Sequence, residues 1–179
     1  MPTIRTGYLL PVLFAVFLTG AARQGKGVRT MKRLTVTSSA FSDGNAMPSR
    51  YSCDGDDINP PLSFAGVPAE AESLALVVDD PDAPVGTWVH WVLWNIPPHT
   101  REIGENSVPA GVRQGLNDWK RNDYGGPCPP SGSHRYVFKL YALDSRLDLP
   151  AATTKKALEK AMEGHILATG ELIGRYRRR

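Results

Sequence analysis

The sequence is poor in cysteine and lacks a long hydrophobic run. Cys53 and Cys128 are its only thiols, and they form no CxxC pair, which excludes the usual cysteine-based metal motifs. The longest apolar run, YLLPVLFAVFL from Tyr8, is too short to span a bilayer, so we expect no stable membrane insertion of the mature domain. The two cysteines either form one disulfide or pack singly in separate loops, and the sequence leaves both open.

Acidic residues are absent from both ends of the chain. Ten of the 21 Lys and Arg residues lie in the first 33 positions or the last five, whereas residues 34–174 carry 11 basic and 18 acidic side chains, a net charge of about −7. An acidic body argues against a nucleic-acid-binding face. We therefore expect no nucleic acid partner, and we interpret the basic ends as solvated tails.

The apolar run near the N-terminus has the character of a secretory signal. Arg5 precedes it, and small residues ending at Ala22 follow it, which suits cleavage there. Met31 begins MKRLTVTSS and would serve as an alternative cytosolic start. We expect an exported, periplasmic protein, or a cytoplasmic one if translation begins at Met31. Residues 1–33 are accordingly assigned to a leader and basic linker, and residues 34–179 to a single domain.

Short apolar segments separated by clusters of proline, glycine and asparagine predict a mainly β fold. The predicted strands are residues 33–41 (RLTVTSSAF), 73–80 (SLALVVDD), 87–97 (TWVHWVLWNIP) and 134–143 (HRYVFKLYAL). Residues 165–176 (HILATGELIGRY) fit a strand or a helix, and their two glycines favour a strand. Thr153 or Thr154 can cap a helix through KKALEKAME, which ends at Gly164.

Period-two alternation places one ionisable residue at the end of each of three strands. One face of the strand from residue 88 carries Trp88, His90, Val92, Trp94 and Ile96, and the other carries Val89, Trp91, Leu93 and Asn95. Asp80 and His134 stand at the ends of similar apolar faces in two other strands. A single strand histidine is usually a satisfied core residue, but the three together predict the mouth of a small polar site with apolar walls.

The residue types at this predicted mouth suit a small oxyanion. Asp80 can hold one imidazole in a chosen tautomer, and protonated imidazoles donate hydrogen bonds. The hydroxyl of Tyr136 is a further donor. The backbone amides of Gly125 and Gly126 can form a concave nest that accepts phosphate or carboxylate oxygens. The sequence therefore predicts a binding site for a small anion.

Three segments together resemble the phosphatidylethanolamine-binding protein family, in its bacterial and archaeal Raf-kinase-inhibitor-like branch. They are YSCDGDDINPPLSF, DDPDAPVGTWVHWVLWNIP and YGGPCPPSGSHRYVFKLYALD, and the similarity extends over residues 34–176. The resemblance implies an antiparallel Greek-key β-sandwich with a few short peripheral helices and a small pocket for phosphate, phospho-headgroups or similar oxyanions. Carried over position by position, that pocket consists of Asp80, Asp82, Pro84, Trp88, His90, Gly125, Gly126, Pro127, His134 and Tyr136.

The resemblance also matches Asp80 and His90 to a buried pair in the family. The sequence departs from eukaryotic members at VGTWVHW, where a short connection replaces a longer segment. It departs again at GPCPP, where Cys128 separates the prolines. Kinase regulation, which belongs to eukaryotic members, is therefore not carried over to this chain.

We expect a non-enzymatic binding protein without a cofactor or a resident metal. Ser131 or Ser133 beside His134 suggests a hydrolase, but no G-x-S-x-G elbow exists and neighbouring side chains on a strand point apart. A nucleophilic Cys128 and a metal site of two histidines and one carboxylate are the other enzymatic alternatives, which we do not favour.

The main alternative function is inhibition of a serine protease or another enzyme through exposed loops. The loops at residues 52–70 and 98–120 are long enough to present such a surface, although no residue in them is specific to a protease contact. The bacterial branch of the family also leads us to expect a homodimer. Proline-bounded turns beside the predicted mouth indicate a rigid pocket that changes little on binding.

Overall fold

A computed structural model describes residue 3 and residues 32–178. The apolar run of the predicted leader and the alternative start at Met31 lie outside the described residues. The large sheet begins at Lys32, two residues before the predicted domain boundary at residue 34. Within the described range, no helix has both the length and the apolar composition needed to cross a membrane.

Nine strands, one α-helix and a 3-10 helix at Ser49–Tyr51 make up the regular structure of the described residues. In chain order the strands and the α-helix are β1 (Lys32–Arg33), β2 (Thr35–Thr37), β3 (Leu62–Ala65), β4 (Ser73–Asp80), β5 (Trp88–Ile96), β6 (Glu102–Ile103), β7 (Arg113–Gln114), β8 (His134–Leu143), α1 (Lys155–Met162) and β9 (Ile166–Tyr176). The predictions for β4, β5, β8, α1 and β9 are confirmed. The single strand predicted at residues 33–41 is wrong, because the chain passes there from one sheet to the other.

The strands form one sheet of six, in the order β1-β9-β8-β4-β5-β7, and one of three, in the order β2-β3-β6. In the large sheet β4, β5 and β7 are successive antiparallel neighbours, and β8 returns to the other side of β4. This is the strand order of a Greek key. The predicted mainly β, Greek-key sandwich is confirmed, with one parallel pair, β1 beside β9, at the sheet edge.

The main hydrophobic core lies between the two sheets. Phe64 and Ile103 of the small sheet belong to the same buried cluster as Leu76 of β4. A second cluster covers the outer face of the large sheet, where Val77 packs with Leu158 of α1. Strand β4 is therefore buried on both faces, which explains its nearly continuous apolar sequence.

Helix α1 begins where the sequence predicts. The side-chain oxygen of Thr154 accepts a hydrogen bond from the amide of Ala157 and caps the first turn. The helix ends at Met162, and Gly164 follows with a φ of 81°, a conformation that favours glycine. This short helix places Lys155 against the outer face of β4.

Two irregularities in the pairing of β4 with β5 change the predicted faces of β5. Val89 pairs with Asp79 and Trp91 with Val78, so His90 is an extra residue in a β-bulge. A bulge interrupts the alternation of side chains. As a result Trp91 and Leu93 lie in the main core, whereas Val92 and Trp94 belong to the outer cluster. The prediction that Val92 and Trp94 share one face and Trp91 and Leu93 the other is confirmed, but the prediction that the first pair lies on the face of His90 and the second on the face of Val89 is wrong. The second irregularity, near Asn95 with a φ of 57°, returns Ile96 to the main core.

Cys53 and Cys128 form a disulfide, with Cα atoms 5.5 Å apart. It joins the loop after the 3-10 helix to the loop that precedes β8. The amide of Cys53 also donates a hydrogen bond to the carbonyl oxygen of Pro127, at 3.1 Å. The hydroxyl of Tyr124 donates to the carbonyl oxygen of Tyr51, at 3.1 Å. These contacts fix the loop of residues 124–130.

Candidate functional site

A cavity of about 250 Å³ opens where β4 ends and β5 and β8 begin. It is lined by Asp80, Ala83, Pro84, Val85, Trp88, His90, Trp119, Cys128, Pro130, His134 and Tyr136. The antiparallel order of β5, β4 and β8 brings these strand ends together, as the alternation of the sequence predicts. Six of the predicted site residues therefore share one cavity: Asp80, Pro84, Trp88, His90, His134 and Tyr136.

His134 pairs with Asp80 at the base of this cavity. Nδ1 of His134 lies 2.7 Å from Oδ2 of Asp80, and both residues are more than nine-tenths buried. The other oxygen of Asp80 accepts a hydrogen bond from the amide of Asp82, at 2.8 Å. The buried histidine–aspartate pair therefore contains His134, and the predicted match of Asp80 with His90 is wrong.

His90 is held by a backbone group. Its Nδ1 lies 2.6 Å from the carbonyl oxygen of Gly125, and its ring meets Tyr136 edge-on with centroids 5.1 Å apart. Burial lowers the pKa of His90, although the hydrogen bond to Gly125 and the nearby carboxylate of Asp80 act in the opposite direction. The carbonyl partner thus holds the ring in place while burial favours its neutral form.

Among residues 3 and 32–178, Nε1 of Trp88 is a buried donor at the cavity without a hydrogen-bond partner, and the hydroxyl of Tyr136 has only contacts outside good hydrogen-bond geometry, with the carboxylate of Asp80 and the amide of Cys128. Burial raises the pKa of Tyr136, and the negative charge of Asp80 raises it further, so the phenol stays protonated. Both side chains line the cavity. Because buried donors usually have partners, these two groups are candidate donors to a ligand or water.

Asp82 lies beside the cavity and does not line it. Its carboxylate accepts from Nη2 of Arg135 at 2.6 Å, from Nε at 2.9 Å and from the Arg135 amide at 2.9 Å. The side-chain hydrogen bonds from Arg135 are the main cause that lowers the pKa of Asp82 to about 2, and burial acts against them. Asp82 thereby anchors the start of β8, and its own amide orients Asp80.

Gly125, Gly126 and Pro127 do not offer the predicted nest of free amides. The amide of Gly125 donates to the carbonyl oxygen of His90, at 3.0 Å. The amide of Gly126 donates to Oδ1 of Asp57, at 2.6 Å. Proline has no amide hydrogen. The prediction of an amide nest is therefore wrong, because both amides already bind acceptors within the protein. Gly125 contributes instead through the carbonyl that anchors His90.

Trp119 is the main cavity residue that sequence analysis missed. Its ring meets Trp88 and His90 edge-on, with centroids 5.4 Å and 5.1 Å apart, and it is 39% exposed. A Cβ on Gly125 would lie 2.5 Å from the Trp119 ring, so this close approach requires glycine. Trp119 forms the outer wall over His90.

The signal for Trp119 lies in the two residues before it. Asn117 and Asp118 are turn-forming residues, and the Asp118 carboxylate accepts from the amide of Val89, at 2.7 Å. This contact joins a loop to a strand 29 residues away, which local patterns do not reveal. The remaining lining residues outside the prediction are Ala83, Val85, Cys128 and Pro130.

No group of three or more His, Cys, Asp or Glu side chains in the described part of the chain is arranged to hold a metal ion. In the pair at the cavity base, Nδ1 of His134 and Oδ2 of Asp80 are joined to each other. Their arrangement is that of a hydrogen-bonded pair. The chemistry of the cavity is therefore that of donors, acceptors and aromatic walls.

The fold and the cavity define a small β-sandwich protein with a partly open, partly polar site. The sequence profile of a family described as phosphatidylethanolamine-binding protein matches residues 37–177. The chain belongs to the phosphatidylethanolamine-binding protein family, which confirms the resemblance found in the sequence. The role of each cavity residue in binding stays a prediction.

Relatives and solved structures agree with this assignment. A UPF0098 protein of Methanothermobacter thermautotrophicus is 55% identical over 78% of this chain and 95% of its own length. A UPF0098 protein of Pyrococcus abyssi is 45% identical over 96% of this chain and 99% of its own. The putative phosphatidylethanolamine-binding protein homolog CT736 of Chlamydia trachomatis has a TM-score of 0.79 at 45% identity, covering 82% of this chain and 99% of that one. E. coli YbcL has a TM-score of 0.77 at 29% identity, with the same two coverages.

Proposed function

We propose that this protein is a non-enzymatic binding protein whose cavity takes a small oxyanion, such as phosphate or a phospho-headgroup. The observation that carries the proposal is the set of polar groups left open around one cavity. Nε1 of Trp88 is a buried donor without a partner in the described residues, and the hydroxyl of Tyr136 has only contacts outside good hydrogen-bond geometry, with Asp80 and the Cys128 amide. A buried unpaired polar group costs about 1–3 kcal/mol, and a ligand that accepts from both would remove that cost.

The size and the walls of the cavity fit a small headgroup. A volume of about 250 Å³ lies below the range of roughly 300–1,000 Å³ typical of drug-sized ligands. The walls include the apolar rings of Pro84, Trp88 and Trp119, and the polar side chains of Asp80, His90, His134 and Tyr136 line the same cavity. In such surroundings a hydrogen bond to an anion is stronger than in water. The related CT736 is itself described as a putative phosphatidylethanolamine-binding protein homolog.

Binding without turnover is supported by the state of the candidate nucleophiles. Cys128 is held in the disulfide and so has no thiolate to offer. Ser131 and Ser133 are exposed, and the Nδ1 atom of His134 is already bound to Asp80. None of these groups forms the pair of nucleophile and base that covalent catalysis requires.

The test is a comparison of two tyrosine variants of the same strand. Tyr136→Phe removes only the cavity hydroxyl, and we expect about a tenfold loss of affinity for phosphate and phosphorylethanolamine in isothermal titration calorimetry. Tyr141→Phe, on the outer face of β8, serves as the matched control and should bind as the wild type does. Equal affinities of all three proteins, or no binding by the wild type, would contradict the proposal.

Inhibition of a protease through exposed loops remains the alternative. It predicts stoichiometric inhibition of a serine protease that Tyr136→Phe leaves unchanged, because the cavity would then have no part in it. Homodimer formation also stays a prediction. Sedimentation of the folded protein would test it directly.

A further inference from the structure

The two cavity histidines differ in the partner of Nδ1. In His90 this nitrogen faces the carbonyl oxygen of Gly125 at 2.6 Å, and a carbonyl oxygen only accepts. In His134 it faces Oδ2 of Asp80 at 2.7 Å, and a carboxylate oxygen also accepts. Nδ1 therefore carries the proton in both rings. Nε2 is the nitrogen that each ring has left for a ligand.

His90 presents a lone pair at Nε2. A neutral imidazole has one N–H, and in His90 the Gly125 carbonyl accepts it. The ionisable groups around His90 are Asp79 and Asp80 of β4, Asp118 in the loop before Trp119, and Tyr136 of β8. Burial lowers the pKa of His90 against the effect of the three carboxylates. A ligand oxygen that carries no proton cannot form a hydrogen bond with this lone pair, because both atoms are acceptors.

His134 has the opposite capacity. An imidazolium at this position would have its charge compensated by the carboxylate of Asp80, which the Gly125 carbonyl beside His90 does not offer. Nε2 of His134 then donates to the anion. The amide of Asp82 keeps Asp80 in place for this role.

The cavity has no further cation to balance a second negative charge. None of its lining residues among those described is Lys or Arg. Arg135, which follows His134, binds Asp82 through two of its nitrogens. A protonated His134 and Asp80 together carry no net charge. A dianion in these largely apolar surroundings would therefore have less compensation than a monoanion.

We propose that the cavity binds singly charged oxyanions that carry their own hydroxyl proton, such as a phosphomonoester monoanion, in preference to dianions and diesters. The ligand hydroxyl donates to Nε2 of His90. The other ligand oxygens accept from Nε2 of His134, the hydroxyl of Tyr136 and Nε1 of Trp88. This inference rests on the proposed function and adds to it the protonation form of the ligand.

Two isomeric probes test this inference by isothermal titration calorimetry. Ethyl phosphate and dimethyl phosphate contain the same atoms, and both are monoanions near pH 5, but only ethyl phosphate keeps a hydroxyl. We expect ethyl phosphate to bind at least about tenfold more tightly there, because one hydrogen bond is lost in the diester. Above the second pKa of the monoester, about 6, the ratio of the two affinities should fall by about tenfold per pH unit. Protonation changes in the protein that alter both affinities equally leave the ratio of the two affinities unchanged.

The variant His90→Gln tests whether Nε2 of His90 causes the preference for ethyl phosphate over dimethyl phosphate. A glutamine amide both donates and accepts, so it can bind an oxygen with or without a proton. We expect the affinity ratio near pH 5 to approach one in this variant, with folding checked by urea denaturation. A ratio of one in the wild type, or an unchanged ratio in the variant, overturns this inference and leaves the proposed function intact. If neither probe binds at millimolar concentration, the proposed function itself fails, and this inference with it.

Discussion

Asp79 and Asp80 are adjacent and both buried, yet they serve different regions of the molecule. Asp79 faces the outer side of the large sheet, where its Oδ2 contacts the Nζ atoms of Lys139, at 2.9 Å, and Lys155. Asp80 faces the cavity, where its partner is His134. The pleat of β4 thus directs two identical side chains to opposite faces of one sheet.

The difference lies in how each charge is compensated. Two ammonium groups surround Asp79, from β8 and from the first turn of α1, so this carboxylate joins three elements of the fold. A single imidazole compensates Asp80 and leaves room for the cavity beside it. The comparison suggests that Asp79 stabilises the fold and that Asp80 prepares the site. Substitutions can separate the two roles.

The largest expected effect is on stability, at the outer carboxylate. Asp79→Asn removes the buried counter-charge of two partly buried lysines, of which only Lys155 keeps a second carboxylate, Glu159 at 3.8 Å. We expect the free energy of unfolding to fall by about 3 kcal/mol in urea denaturation. Phosphate affinity should not change. Asp56→Asn, at an exposed ion pair with Arg50, is the matched control and should change stability by less than about 0.5 kcal/mol. If Asp79→Asn lowered the free energy of unfolding no more than Asp56→Asn does, Asp79 would have no special role in stabilising the fold.

A smaller effect on stability, with a clear effect on binding, is expected at the cavity carboxylate. In Asp80→Asn the side-chain oxygen still accepts from the amide of Asp82, so we expect a loss of only about 1 kcal/mol. Phosphate affinity near pH 6 should fall about tenfold, because His134 loses the carboxylate that accepts from its Nδ1 and orients the ring. Calorimetry and urea denaturation of the same sample measure both. Unchanged phosphate binding would show that Asp80, like Asp79, serves only the fold.

The sequence predicts the parts of this arrangement that depend on local pattern. The apolar run of β4 and the alternation of β8 place Asp80, His134 and Tyr136 at strand ends, and the Greek-key order brings those ends together. The cap of α1 is predicted to be Thr153 or Thr154, because a capping oxygen acts within the first turn of the helix, and the structure selects Thr154. These features depend only on residues that are close to one another in the sequence.

The other features of the candidate site depend on contacts between segments that are far apart in the sequence. The bulge at His90 is set by its register against β4, and the alternation of β5 alone does not show it. Trp119 reaches the cavity because Asp118 binds the start of β5. The amide of Gly126 is occupied by Asp57, which lies 69 residues away. The wrong predictions in the site therefore share one cause, a long-range contact that decides which groups remain open.

The smallest expected effect is a pH dependence that belongs to the cavity alone. Because burial lowers the pKa of His90, the unfolded chain takes up a proton at a higher pH than the folded protein does. Stability should be constant above about pH 6.5, the ordinary histidine pKa, and should fall below it by at most about 1.4 kcal/mol per pH unit from this group. His90→Gln should flatten the curve between about pH 4.5 and 7, a window above the pKa of about 2 that Arg135 gives Asp82. Urea denaturation of both proteins across this window measures the difference. Parallel curves would mean that His90 titrates alike in the folded and unfolded chain, and its Nε2 would then be no more an acceptor than that of any exposed histidine.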